Sequence, residues 1–175
     1  MKKNLTIVGL NPEFKKSIAK KLADELEMYY IDINDFVKYD VIDFNNIIRT
    51  VGLEYYKNLE TKAVSVVSSY ENSLITLNLS TFFENNNYKL LKQNSSLIYI
   101  KINFPNFKNE LLEERPNCAK YESLLDEKVF KQRDGILSKI CDIVVEIKFE
   151  EKNLIEKIIK SIKKYYGDIL WNLAI

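Results

Sequence analysis

Histidine is missing from the chain altogether. Its absence excludes Ser-His and Cys-His nucleophilic catalysis and any histidine-ligated metal site. Cysteine is scarce: Cys118 and Cys141 are too few for a disulfide framework, and a reducing cytoplasm is the compartment they suit. Cys141 lies in the apolar context Ile140-Cys141-Asp142-Ile143-Val144 and reads as core packing. Glycine is limited to Gly9, Gly52, Gly135 and Gly167, and arginine to Arg49, Arg115 and Arg133. No apolar run approaches the roughly 20 residues needed to span a bilayer. Met1-Lys2-Lys3-Asn4 leads straight into a strand, without the apolar stretch of a signal peptide. Net charge is +1, so no global field points to nucleic acid or to acidic lipid.

What is present suits one domain. The 175 residues, 46% hydrophobic and 29% charged, provide for a single sizeable core. Leu5 to Gly9 reads as a buried strand, followed by a helix from Asn11 to Glu27 whose Phe14, Ile18, Leu22 and Leu26 recur every four residues. Met28 to Ile31, Ser73 to Asn78, Ser95 to Ile102 and Asp142 to Ile147 read as four further strands. Between them the pattern predicts a short helix capped by Asp43 and closed by Gly52, and a long one from Leu53 to Tyr70. Others are expected around Tyr88 to Leu91, at Asn106 to Glu114, at Glu122 to Lys139 and at Glu151 to Tyr166. Apolar strands alternating with helices predict an α/β three-layer sandwich on a five-stranded parallel sheet. Residues 1–167 form that domain, and 168–175 are an apolar tail carrying the only tryptophan. Ligands in such sheets bind at the carboxyl ends of the strands.

The first of those ends carries the turn Gly9-Leu10-Asn11-Pro12-Glu13-Phe14-Lys15-Lys16-Ser17. It has the outline of a phosphate loop, G-x-x-x-x-G-K-[ST], with Phe14 where the last glycine belongs. Such a loop aims successive backbone N–H groups at phosphates, which needs glycines, and Pro12 removes one N–H outright. Asn11 as N-cap with Pro12 at the first helical position is also an ordinary helix start.

With these elements in order, the chain resembles the shikimate kinase family, P-loop kinases that phosphorylate shikimate with ATP. The resemblance covers about residues 4 to 165. Tyr30-Ile31-Asp32-Ile33-Asn34 matches the family's [FY]-x-D-x-D, and Gly52-Leu53-Glu54-Tyr55-Tyr56-Lys57-Asn58-Leu59-Glu60 its G-E-x-x-F-R-x-x-E helix. Arg115-Pro116 matches the opening of its lid, and Arg133 with Cys141-Asp142-Ile143-Val144-Val145 its closing pattern. The fold the resemblance implies is P-loop nucleoside-kinase-like.

The resemblance also implies a site. Gly9, Lys15, Lys16 and Ser17 stand at nucleotide-binding positions. Asp32 stands at the carboxylate that holds Mg²⁺ through water or, on a blander reading, is the cap common after a strand. Lys15 keeps the loop lysine, but Lys16 replaces the hydroxyl that binds Mg²⁺, and an ammonium there repels the metal. Shifting the gap by one makes Lys16-Ser17 the Lys-Ser pair. Asn34 replaces the family aspartate that orients and deprotonates the accepting hydroxyl; an amide is no base. Asp35, one step along, points elsewhere. Lys57 replaces an arginine that clamps the substrate carboxylate and loses its bidentate fork. Glu60 matches the acid that positions that arginine, or else is a solvated partner of Lys57. Leu77-Asn78-Leu79 replaces a glycine-rich turn, and those side chains fill part of the substrate pocket. Arg115 matches the lid arginine on the transferring phosphoryl group and Arg133 a second carboxylate-binding arginine; the alternative for each is a surface arginine pairing with Glu113, Glu114 or Asp134.

The residues leave two expectations. The first is a shikimate kinase-like protein with lost or very weak catalysis, kept for binding or interaction. The second is a working small-molecule kinase that uses Lys15 or Lys16 with Asp32, Asn34 and Arg115. ATP, Mg²⁺ and a shikimate-like substrate belong to the second, and no cofactor need belong to the first. Neither has a nucleic acid or membrane partner, and both are cytoplasmic. The tail packs back on the domain or mediates self-association.

Overall fold

The computed structural model describes residues 4–40, 50–84, 86–114, 126–148 and 153–167. In chain order the elements are β1 (Asn4–Gly9), α1 (Pro12–Glu25), β2 (Tyr29–Asp32), α2 (Ile33–Asp40), α3 (Leu53–Ser68), β3 (Ser73–Thr76), α4 (Leu79–Phe83), α5 (Asn87–Asn94), β4 (Ser95–Lys101), α6 (Phe104–Glu114), α7 (Glu127–Ile140), β5 (Ile143–Glu146) and α8 (Leu154–Tyr166). The strands form one sheet in the order β2-β3-β1-β4-β5, and every pairing is parallel. The expected α/β sandwich on a five-stranded parallel sheet is therefore the fold observed.

Side chains alternate across a strand, so a strand that buries every residue has both faces covered. β1 and β3 bury all of theirs and β4 all but Lys101. β5, at one edge, buries only Ile143 and Val145. Helix α1 buries Ile18, Ala19, Leu22 and Ala23, the stripe its sequence period predicts, and packs on β1, β2 and β3 and on α8. Helices α3 and α5 pack on each other, and α5 and α7 also pack on β4. Full burial of residues such as Ile7, Leu22, Leu74 and Ile98 contributes about 1.5–3 kcal/mol each.

Three expectations change in detail. The stretch after β2, for which the sequence pattern predicts no helix, is helix α2. Asp32 Oδ1 accepts the N–H groups of Asn34 at 2.9 Å and Asp35 at 3.2 Å, an N-cap, while Ile33 and Val37 bury the i,i+4 face. β3 ends at Thr76, two residues early, because Asn78 flanks the short helix α4. α7 begins after Asp126, whose carboxylate accepts the N–H of Lys128. The helix expected after Asp43, the start of the last helix at Glu151, Arg115 and the tail 168–175 lie outside the described residues.

At the amino ends of the strands Asp142 closes the sheet. Its Oδ2 accepts the Leu97 N–H at 2.9 Å and its Oδ1 lies 3.2 Å from Lys92 Nζ. Lys92 Nζ also donates to the Ile140 carbonyl at 2.6 Å.

Candidate functional site

The carboxyl ends of β1, β2 and β3 bring together Gly9, Asp32 and Thr76, and the parallel register sets Asp32 beside Thr76. Gly9 runs directly into the start of α1. Asn11 has extended backbone angles (φ −93°, ψ 114°), its side-chain oxygen accepts the Phe14 N–H at 3.1 Å, and Pro12 takes the first turn of the helix. The Lys15 N–H goes to the Asn11 carbonyl at 3.2 Å. The turn is the ordinary helix start that Asn11-Pro12-Glu13 predicts. Gly9 uses neither freedom of glycine. Its φ is not positive, and a Cβ there would meet the Ile100 carbonyl oxygen at 3.5 Å, an ordinary contact. The space between this turn and β4, lined by Gly9, Leu10, Asn11, Phe14, Lys15, Ile100 and Ile102, holds about 10 Å³, roughly one water.

Lys15 and Lys16 leave the first turn of α1 in different directions. Lys15 is 3% exposed, and its Nζ donates to the Leu77 carbonyl just past β3. Burial pulls its pKa down to about 8 against the opposing attraction of Asp32, and neighbouring Lys16 adds to the lowering. Lys16 Nζ lies 3.3 Å from Asp32 Oδ2 and 3.7 Å from Asp35 Oδ2. Asp35 therefore faces the same cation as Asp32 rather than pointing elsewhere, because helix α2 turns it back. Ser17 is exposed on α1.

Every oxygen of Asp32 is engaged. Besides capping α2, it accepts the Thr76 hydroxyl at 2.8 Å, and the Tyr30 hydroxyl lies 3.1 Å from that same Thr76 oxygen. Burial raises the Tyr30 phenol to about 12. Asn34 Oδ1 accepts from the Asn78 amide at 2.8 Å. Thr76 carries no signal in the sequence, and only the alignment of β2 with β3 makes it a neighbour of Asp32.

Lys57 pairs with Glu54 at 3.1 Å and Glu84 at 3.5 Å, and Glu54 is the main cause of its raised pKa. Glu60 is not its solvated partner. It is 5% exposed, accepts the Thr81 hydroxyl at 2.7 Å and is bonded to Tyr56. Burial raises the Glu60 pKa, and the bonds from Thr81 and Tyr56 oppose that rise. Leu77 is buried in the hydrophobic core. Arg133 sits half-buried on α7, the β4 side of the sheet, away from the β2–β3 cluster. Asp134 is not its partner: it accepts from the Tyr99 hydroxyl at 2.8 Å and Lys101 at 2.9 Å.

Among the described residues no three carboxylate or thiol side chains converge to hold a metal, and none of the helices is long and apolar enough to cross a membrane. Among the described residues an ammonium stands on Asp32 and the turn begins a helix, neither of which suits Mg²⁺·ATP.

The family model that matches is "Shikimate kinase", over residues 14–163. A shikimate kinase of Dictyoglomus turgidum is 24% identical over 96% of this chain and 100% of its own length. That of Alkaliphilus oremlandii is 31% identical over 102 residues, 58% of this chain and 60% of that protein. Among solved structures, shikimate kinase from Acinetobacter baumannii in complex with shikimate superposes with a TM-score of 0.76 at 18% identity, over 92% of this chain and 93% of that one.

Proposed function

The chain belongs to the shikimate kinase family, and from that premise we propose that this member has lost all or nearly all phosphoryl transfer and is kept as a binding or interaction module. The family reaction moves the terminal phosphoryl group of ATP to a shikimate hydroxyl with Mg²⁺. It needs a lysine on the phosphates, a hydroxyl on the metal and a base at the acceptor. One observation carries the reading: both lysines of the turn are committed to protein acceptors, Lys15 to the Leu77 carbonyl and Lys16 to Asp32. Asn34 adds to it, since its amide accepts a hydrogen bond but takes no proton.

In the active reading a shikimate-like molecule is the substrate, with Asn34 and Lys57 as candidate contacts, Arg133 reaching it only from the β4 side, and Arg115 as the lid residue. A cytoplasmic location goes with it, and self-association through the tail is the form an interaction role would take. The competing reading, a kinase that uses Lys15 with Asp32 and Arg115, draws on the position of Lys15 beside Gly9 at the end of β1. It requires the ammonium to leave Leu77.

A coupled ADP-release assay with shikimate and Mg²⁺ separates the two. The expected result is no shikimate-dependent ADP release. Turnover in the usual kinase range of about 1–100 s⁻¹, abolished by Lys15→Ala or Lys16→Ala, would overturn the proposal.

A further inference from the structure

The most unusual feature of the cluster is a cation in the wrong place for a kinase. Lys16 reaches from the first turn of α1 to carboxylates on two consecutive elements, Asp32 at the end of β2 and Asp35 in α2. The Asp32 side chain is 1% exposed, so water does not offset its charge. Thr76 and the N–H groups of Asn34 and Asp35 satisfy its hydrogen bonds, but none of them carries a positive charge. Lys15, the other cation of the turn, is turned towards Leu77. Lys38 lies 3.2 Å from the other oxygen of Asp35, Oδ1. Among the described residues the positive charge in contact with Asp32 is thus the Lys16 ammonium, flanked by two carboxylates as a hard divalent ion is.

We propose that Lys16 is a tethered substitute for a divalent cation. It neutralises Asp32 and Asp35 permanently, so the ends of β1 and β2 keep their geometry without metal, and no net negative charge is left to recruit one. Removing the ammonium exposes the two carboxylates to each other and recreates a divalent-cation site. The inference rests on the same assignment of Lys16 as the proposed loss of phosphoryl transfer, but it is read from metal response and not from turnover. A wild type that consumed ATP while ignoring metal in its nucleotide-free form would defeat the functional reading and leave this one standing.

The experiment compares wild type, Lys16→Ser and Lys16→Arg by thermal melting in EDTA and in millimolar Mn²⁺, with Mn²⁺ binding followed by electron paramagnetic resonance. Wild type and Lys16→Arg are expected to melt together, to ignore Mn²⁺ and to bind none. Lys16→Ser is expected to melt about 6 °C or more lower in EDTA, to regain at least half of that loss in Mn²⁺, and to bind one Mn²⁺ per chain. Stabilisation of wild type by Mn²⁺ overturns the proposal, as does a Lys16→Ser protein with neither the loss nor the metal response. If Lys16→Ser does not fold, the other two proteins decide. Silence towards Mn²⁺ with a wild-type-like Lys16→Arg supports the substitution, and Mn²⁺ binding by either defeats it.

Discussion

Two Asp–Lys–carbonyl clusters sit at opposite ends of the same sheet, and they are built alike. At the amino ends, Asp142 takes a backbone N–H from Leu97 and an ion pair from Lys92, which also donates to the Ile140 carbonyl. At the carboxyl ends, Asp32 takes backbone N–H groups from Asn34 and Asp35 and an ion pair from Lys16, while Lys15 donates to the Leu77 carbonyl. The first cluster lies where α/β sheets do not bind ligands, and its role is to close the sheet. The second lies where they do. On the proposed function, the residues at the phosphate-loop position serve as a clasp joining strand ends, of the kind the other end already uses.

Working sites are commonly held at a cost in stability, so replacing their residues is often neutral or stabilising. A clasp behaves in the opposite way. Asp32→Ala is expected to lose about 3–5 kcal/mol by denaturant unfolding, because it strands a hydroxyl, two N–H groups and a lysine. Asp142→Ala, whose side chain is 12% exposed, is expected to lose about 1–3 kcal/mol. A neutral or stabilising Asp32→Ala would break the likeness.

Next in size is a pH effect confined to the carboxyl end. The folded pKa of Lys15 is depressed to about 8 from 10.5, so the unfolded chain binds more protons between those values. The cost of the buried charge is fully present below about pH 8 and disappears as pH rises towards 10.5. The stability of wild type relative to Lys15→Met is therefore expected to rise by on the order of 3 kcal/mol over that window. A difference that stays flat with pH would mean that Lys15 is not held as described. Lys92→Met, removing a side chain 37% exposed, is expected to cost only about 0.5–1 kcal/mol. Smallest is Asn34→Asp. It restores the family carboxylate, and no gain in ADP release is expected, because the turn before it still begins a helix.

Much of the fold was legible in the residues alone. The every-fourth-residue stripe from Phe14 to Leu26 and the Asn11-Pro12 start gave α1 and its first turn, and five apolar runs gave five parallel strands. Helix α2 was hidden because Asp32-Ile33-Asn34-Asp35 is polar at three of four positions; Asp32 as a cap before Ile33, Phe36 and Val37 was the available signal. Glu60 was misjudged because spacing along a helix reveals its surface neighbour Lys57 but not Thr81, which approaches from another element. The bond from Thr76 to Asp32 depends on strand register across 44 residues, which no local pattern carries.

The central claim, that the turn from Gly9 to Ser17 no longer receives Mg²⁺·ATP, is met most directly by a thermal-shift titration of the wild type with millimolar Mg²⁺·ATP. The expected result is an unchanged melting temperature. A rise of about 5–10 °C, the effect of a ligand at a hundred times its Kd, abolished by Lys15→Ala, would contradict it.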